Sequence, residues 1–229
     1  MTRRGGTAVR ATKRPVVVLA GEDRNDRECL RVVLEKLCPA MQGRLVEIND
    51  SIRLHEAKSP ATLADRARTL GRQARAKAAR ERAELACLFV HEDFDRTDGD
   101  EYLEARGRVQ TALRAEVPSA HYVLSVAEVE AWLLLFPDAL TRTVTGWQVP
   151  RQYRNRDTGT LTDPKEILRR NVGGAGRRYR ESDAPDVLAA AVALNSLDQP
   201  VGRNRSWNQL RDDATECCTL HIPKARRPQ

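Results

Sequence analysis

A chain of 229 residues, 41% hydrophobic and 31% charged, holds enough apolar material for one good core with a small appended subdomain, which excludes a largely disordered polymer. Its longest apolar runs, Ala131 to Phe136 and Val187 to Leu194, fall far short of the roughly 20 residues that cross a bilayer, and the amino terminus lacks the apolar centre of a secretion signal; no membrane partner and a cytoplasmic location are expected. The formal net charge of +7 looks like a nucleic-acid signature, yet Arg3, Arg4, Arg10, Lys13, Arg14, Lys224, Arg226 and Arg227 carry all of it, and without these eight the body stands at −1.

Along the chain, Val16-Val17-Val18-Leu19 reads as a strand buried on both faces. Asn25 and Glu28 have capping-box spacing, and Leu30, Val33, Leu34 and Leu37 follow at helical intervals. This predicts a helix from just beyond Glu22 to near Pro39. Leu45 to Ile48 makes a short second strand. Ser59 before Pro60 starts a second helix whose narrow apolar face is Leu63, Ala67, Leu70, Ala74 and Ala78, running to about Arg82. Its arginine stripe, Arg68, Arg72, Arg75 and Arg82, has the spacing to track a phosphate backbone and equally that of a solvated face, which is the commoner origin. A third strand is predicted over Leu85 to His91, a helix over Glu101 to Glu116, and a fourth strand over His121 to Val126.

Alternation of strand and helix through four strands argues for a parallel α/β sheet, because parallel neighbours need crossover helices. Beyond Pro137 the chain turns polar, with short helices predicted from Asp163-Pro164, over Val187 to Leu197 and over Trp207 to Cys217. The expected division is a basic tail at 1–14, an α/β domain at 15–137, a mostly helical extension at 138–221 and a second basic tail at 222–229. The tails have the charge to contact phosphates. Cys29, Cys38, Cys87, Cys217 and Cys218 form an odd set without CxxC spacing, and His55, His91, His121 and His221 are scattered. Reduced, packed thiols are expected, with no zinc knuckle.

Acids fall where strands end. Glu22 and Asp26, four apart, share the first helical turn after strand one; Asp93 and Asp95 follow strand three and would face one side if the chain stays extended; Glu130 follows strand four. In an open parallel sheet that edge is where ligands bind. Two carboxylates about 4 Å apart repel by roughly 4 kcal/mol at an effective dielectric near 20, so gathering several requires protonation, arginine partners or a metal, and hard oxygens select magnesium or manganese. Acids near helix starts also serve as caps, with Asp23, Asp98 and Asp100 placed to do so. A calcium loop starting at Asp93 fails because its sixth position is Asp98 and not glycine. Gly173-Gly174-Ala175-Gly176 has neither a preceding strand nor the phosphate-loop lysine and reads as a turn.

On these residues the chain resembles the TOPRIM domain of topoisomerases, primases and the overcoming-lysogenization-defect nucleases. Gly21-Glu22-Asp23-Arg24-Asn25-Asp26 is similar to the family's glutamate motif after strand one, with Asp23 in place of the usual glycine, and Asp93-Phe94-Asp95 matches its DxD. Ser125, Glu128 to Leu134, Asp163 to Glu166, Tyr179 and Trp207 to Leu210 resemble a group of small TOPRIM-like bacterial proteins suspected in phage defence, so the likeness covers most of residues 15–212. It implies a TOPRIM-like parallel sheet flanked by helices with a mostly helical carboxy-terminal extension, and metal-dependent nuclease chemistry on DNA or RNA beside an ATPase partner. By that resemblance Asp93 and Asp95 would hold Mg²⁺ or Mn²⁺, Glu22 would ligate it or act as general acid or base, Asp26 and Glu130 would complete a second position, and Lys165 would neutralise a phosphate. Self-association is left open. Two other classes compete: a receiver-like phosphoacceptor domain, which needs a lysine after a fifth strand, and a non-catalytic adaptor whose acids form a docking surface.

Overall fold

A computed structural model describes residues 13–50, 53–173 and 176–222. The expected tails, apart from Lys13, Arg14 and Ile222, and the centre of the Gly173–Gly176 turn lie outside the described residues.

The chain begins with β1 (Pro15–Ala20), whose residues Val16 to Leu19 are all fully buried. Such a strand needs apolar cover on both faces. It leads through a turn at Gly21 to α1 (Arg24–Leu37), then β2 (Leu45–Glu47), α2 (Pro60–Arg80), β3 (Glu84–Asp93), α3 (Asp100–Glu116) and β4 (Ala120–Ser125). All pairings in this sheet are parallel and the lateral order is β2-β1-β3-β4. The chain therefore leaves β1 in one direction to reach β2 and crosses to its other side to reach β3. The carboxyl ends of β1 and β3 flank the switch point of the sheet, the place where a crevice opens.

Side-chain alternation divides the core. Val17, Leu19, Cys87 and Phe89 face α1, joined by Leu30, Val33 and Leu34, while Val18, Ala20, Leu88 and Val90 face α2 and α3 with Leu63, Leu70 and Leu113. Each large apolar side chain so buried contributes roughly 1.5–3 kcal/mol. The first face is completed by the carboxy-terminal part: α4 (Val129–Leu133), α5 (Pro137–Thr143), α6 (Pro164–Glu166) continued by a π-helical turn at Ile167–Val172, α7 (Ala184–Ala193) and α8 (Arg205–Leu220). A two-residue parallel pair, β5 (Arg156–Asp157) with β6 (Gly202–Arg203), interrupts these helices. Trp207 lies edge-on to Trp132 and Phe136 at centroid distances of 5.8 and 5.1 Å. Ser206 Oγ accepts from both Trp132 Nε1 (2.8 Å) and the buried Val126 amide (3.0 Å), which ties α8 to the exit of β4.

Three expectations change. The cap of α1 lies two residues earlier than the Asn25 and Glu28 spacing predicts: Asp23 accepts from the Asp26 amide at 3.0 Å, and Asp26 accepts from the Asp23 amide at 3.2 Å. Strand three runs to Asp93, because β4 pairs with it as far as Asp93 opposite Ser125. The cysteines are not a set of reduced thiols. Cys38 is bonded to Cys218 and Cys87 to Cys217, leaving Cys29 free and buried; sequence separations of 180 and 130 residues hid the pairing from any local spacing rule. No helix among the described residues is long and apolar enough to cross a membrane.

Candidate functional site

At the switch point, a pocket of about 240 Å³ is lined by Glu22, Asp26, Asp93, Glu130 and Lys165, together with Asp23, Arg53 and Glu181. Four strand-exit acids and the lysine singled out in the sequence thus share one cavity. Gly21 carries the turn into α1 at a crowded point: a Cβ there would stand 3.2 Å from both Asp26 Cβ and Arg27 Cγ. Asp93 ends β3 and accepts a short hydrogen bond from Ser125 Oγ at the end of β4. Its side chain remains 25% exposed and lines the pocket.

Asp95 does not join them. Phe94 turns into the core, Asp95 takes a left-handed φ of 55°, and its side chain lines a neighbouring cleft with His55, Glu56 and Arg108. The chain fails to stay extended past Asp93, so the two aspartates lose the common side that spacing alone suggests. The arginine stripe also lies elsewhere. Arg68 pairs with Asp65 (2.7 Å) and Glu116 (3.6 Å), and Arg75 donates to the Glu116 carbonyl at the end of α3, next to the start of β4 and at the opposite edge of the sheet from the acids. Arg72 reaches only Thr69 at 3.3 Å.

The residue that sequence reading missed is His91. It is fully buried beneath the acids, with Nδ1 3.6 Å from Asp26 and Nε2 3.8 Å from Asp93 and 3.2 Å from Ser125 Oγ. Burial disfavours its charge, but Asp26, Asp93 and Glu22 outweigh that and raise its pKa to about 9. The signal was the alternation of β3, which puts His91 and Asp93 on one face. Glu128 was also missed. It and Ala127 both adopt positive φ (110° and 62°), strain of the kind that collects at working sites, and its Oε2 is buried without a hydrogen-bond partner.

The cluster is short of positive charge. Burial pushes Asp93 up to about 7 against the opposing pull of His91, and Glu130 up to about 7 against that of Lys165. Burial also raises Glu128 to about 6 and Glu22 above its usual value, although Lys165 and Arg53 respectively pull down. Asp26 moves the other way, since His91, the Asp23 amide and Arg27 together exceed its burial penalty. Burial would lower Lys165, but Glu130, Glu128 and Glu181 hold it above its ordinary value. Six carboxylates line the pocket against two lining cations, Lys165 and Arg53, and the charged His91 beneath them. Arg53 pairs with Glu22 at 3.3 Å, and Lys165 with Glu128 and Glu181 at 3.5 Å each.

A hard divalent ion fits this donor set by chemistry, because carboxylate oxygens outnumber the other potential ligands of the lining, and the adjoining Glu128 has a buried, orphaned Oε2. The ring is wide, however. Among the described residues, the sets of three candidate ligand atoms lying within 4.8 Å of one another are Cys87–His121–Cys217 and His121–Asp213–Glu216, neither of which is in this pocket. A magnesium-like ion that keeps several waters suits so open a ring better than an ion needing full protein ligation. Comparison with protein-family models, curated proteins and solved structures returns no match to this chain.

Proposed function

We propose that this chain is a TOPRIM-type nuclease that hydrolyses phosphodiesters of DNA or RNA with Mg²⁺ or Mn²⁺. The observation that carries the reading is the convergence of Glu22, Asp26, Asp93 and Glu130 at the switch point with too little positive charge to balance them. These four would hold the cation, with Asp95 on the adjacent rim. When bound, such an ion polarises a phosphoryl oxygen and lowers the pKa of attacking water.

The chain's own groups supply the rest. His91 lies 3.6 Å from Asp26 and 3.8 Å from Asp93 and offsets their charge from below. Glu130 receives a hydrogen bond from Tyr179 at 3.1 Å, which constrains its carboxylate at the pocket. Lys165 stands where a phosphate oxygen could replace Glu128 or Glu181 as its partner. The near-neutral body favours a partner, of the ATPase kind that the resemblance implies, to engage the nucleic acid.

A receiver-like reading has one observation in its favour, since the strand order 2-1-3-4 is also that of phosphoacceptor domains before their fifth strand. Against it, Lys165 follows no strand of the main sheet among the described residues. A docking adaptor would show no stabilisation by metal.

The test incubates purified protein with plasmid, single-stranded DNA and RNA in Mg²⁺ or Mn²⁺ and follows its melting temperature with each ion. Cleavage and metal-dependent stabilisation are expected, and Asp93→Asn should lower cleavage on the order of 100-fold or more. Cleavage that is unchanged in Asp93→Asn removes this pocket from the chemistry.

A further inference from the structure

About 20 Å along β3 from Asp93, on the face covered by α8, lies a second group of potential ligands. Cys87 of β3, His121 of β4 and Cys217 of α8 are each 0% exposed, and their ligand atoms lie within 4.8 Å of one another. Phe89 stacks on the His121 ring at 4.7 Å. Neither ring nitrogen of His121 has a hydrogen-bond partner. Nδ1 stands 3.4 Å from Oδ1 of Asp213, itself buried and steadied by Arg106 and Gln209 at 3.2 Å each. An imidazole wholly removed from water with both nitrogens unsatisfied is costly, and this one is aimed at two sulfurs and a carboxylate. Two thiolates, an imidazole and one further donor make a tetrahedral zinc set.

In the structure the two sulfurs are joined to each other. We propose that Cys87, His121 and Cys217 form a thiol-switched zinc site, closed as a disulfide when oxidised and metal-binding when reduced, with Asp213 beside the His121 ring to orient it. A dithiol reductant breaks the Cys87–Cys217 bond by exchange: its own two sulfurs become a disulfide, and two electrons and two protons pass to Cys87 and Cys217 as thiols. Zn²⁺ then displaces both thiol protons and takes the two sulfurs, a ring nitrogen of His121 and a water as fourth ligand, while Asp213 orients the imidazole. The way in is the neighbouring bridge, because Cys218, one residue on, is partly exposed while Cys38, Cys87 and Cys217 are buried. Zinc in this position would hold α8 to the sheet after reduction has released it.

The test reduces the full chain with a phosphine, removes metal, and titrates it with Co²⁺ and then Zn²⁺. One thiolate-bound cobalt per chain is expected, with sulfur-to-cobalt charge-transfer absorption and tetrahedral d–d bands that zinc bleaches; the oxidised protein should show neither band. Cys87→Ser should remove about half of the charge-transfer band, Asp213→Asn should weaken zinc binding about 10–100-fold, and Cys38→Ser with Cys218→Ser should leave the spectrum intact. Asp93→Asn should leave it intact too, which separates this site from the acidic pocket. Reduced wild-type protein, folded or unfolded, that develops no thiolate–cobalt band overturns the proposal, and so does a band that disappears with Cys38 and Cys218 instead of Cys87.

Discussion

Glu92 lies between two residues of the site and points away from it. Strand alternation sends its side chain, 1% exposed, to the α2 side, where it accepts from the Leu54 and His55 amides, from His55 Nδ1 at 2.6 Å and from Tyr122 Oη at 2.7 Å. These bonds fix the loop that presents Arg53 to Glu22. Glu92 thereby acts on the pocket through another residue. The hydrogen bond to Glu92 raises the His55 pKa, against a smaller penalty from burial. A histidine whose folded-state pKa is raised contributes stability in full below its unfolded value of about 6.5, and that contribution is lost as pH rises through the folded value. Urea melts of wild type and His55→Gln should therefore differ most on the acid side of pH ~6.5 and converge at alkaline pH. Curves that stay parallel across that window would show that the pair adds nothing to stability.

At the level of elements, α1 shows how a cap and a site can share a residue. Asn25 with Glu28 and Asp23 with Asp26 have the same i, i+3 spacing, and the structure uses the second pair. Asp23 is extended (φ −134°, ψ −171°) as a cap must be, and Asp26 is drawn toward the buried His91. Asp26 is thus both the third residue of the helix and a wall of the pocket. Asp23→Ala should destabilise the protein by about 1 kcal/mol while Asp23→Asn, which can still cap, should stay close to wild type in denaturant titrations. Equal losses in the two variants would assign Asp23 to electrostatics and not to capping. In β3, pairing with β4 carries the strand two residues beyond its predicted end, and that pairing holds Asp93 beside Ser125.

For the whole molecule, α8 is the closing piece. It covers the first face of the sheet with Trp207, Leu210 and Ala214, and it is bonded to the end of α1 through Cys218 and to β3 through Cys217. Bridges that close loops this long restrict the unfolded chain strongly, by about 2–5 kcal/mol each. Cys38→Ser should lose stability in that range under oxidising conditions and match wild type in reductant. A difference that persists in reductant would mean that the Cys38 side chain matters through packing.

The order of strands and helices was legible in the residues themselves, because a both-face-buried strand such as Val16–Leu19 and a narrow helical face such as Leu63 to Ala78 are local patterns with periods of 2 and 3.6. Residues at strand exits could be placed for the same reason, so Glu22, Asp26, Asp93 and Glu130 were found together. Local patterns do not contain lateral order or the path of the backbone after a strand ends. Only the tertiary structure set β1 beside β3, turned Asp95 out of the pocket, slid His91 under the acids and brought cysteines 130 and 180 residues apart into contact. Those outcomes depend on crossover connections and on the competition of buried side chains for space and charge, which act between segments far apart in the chain.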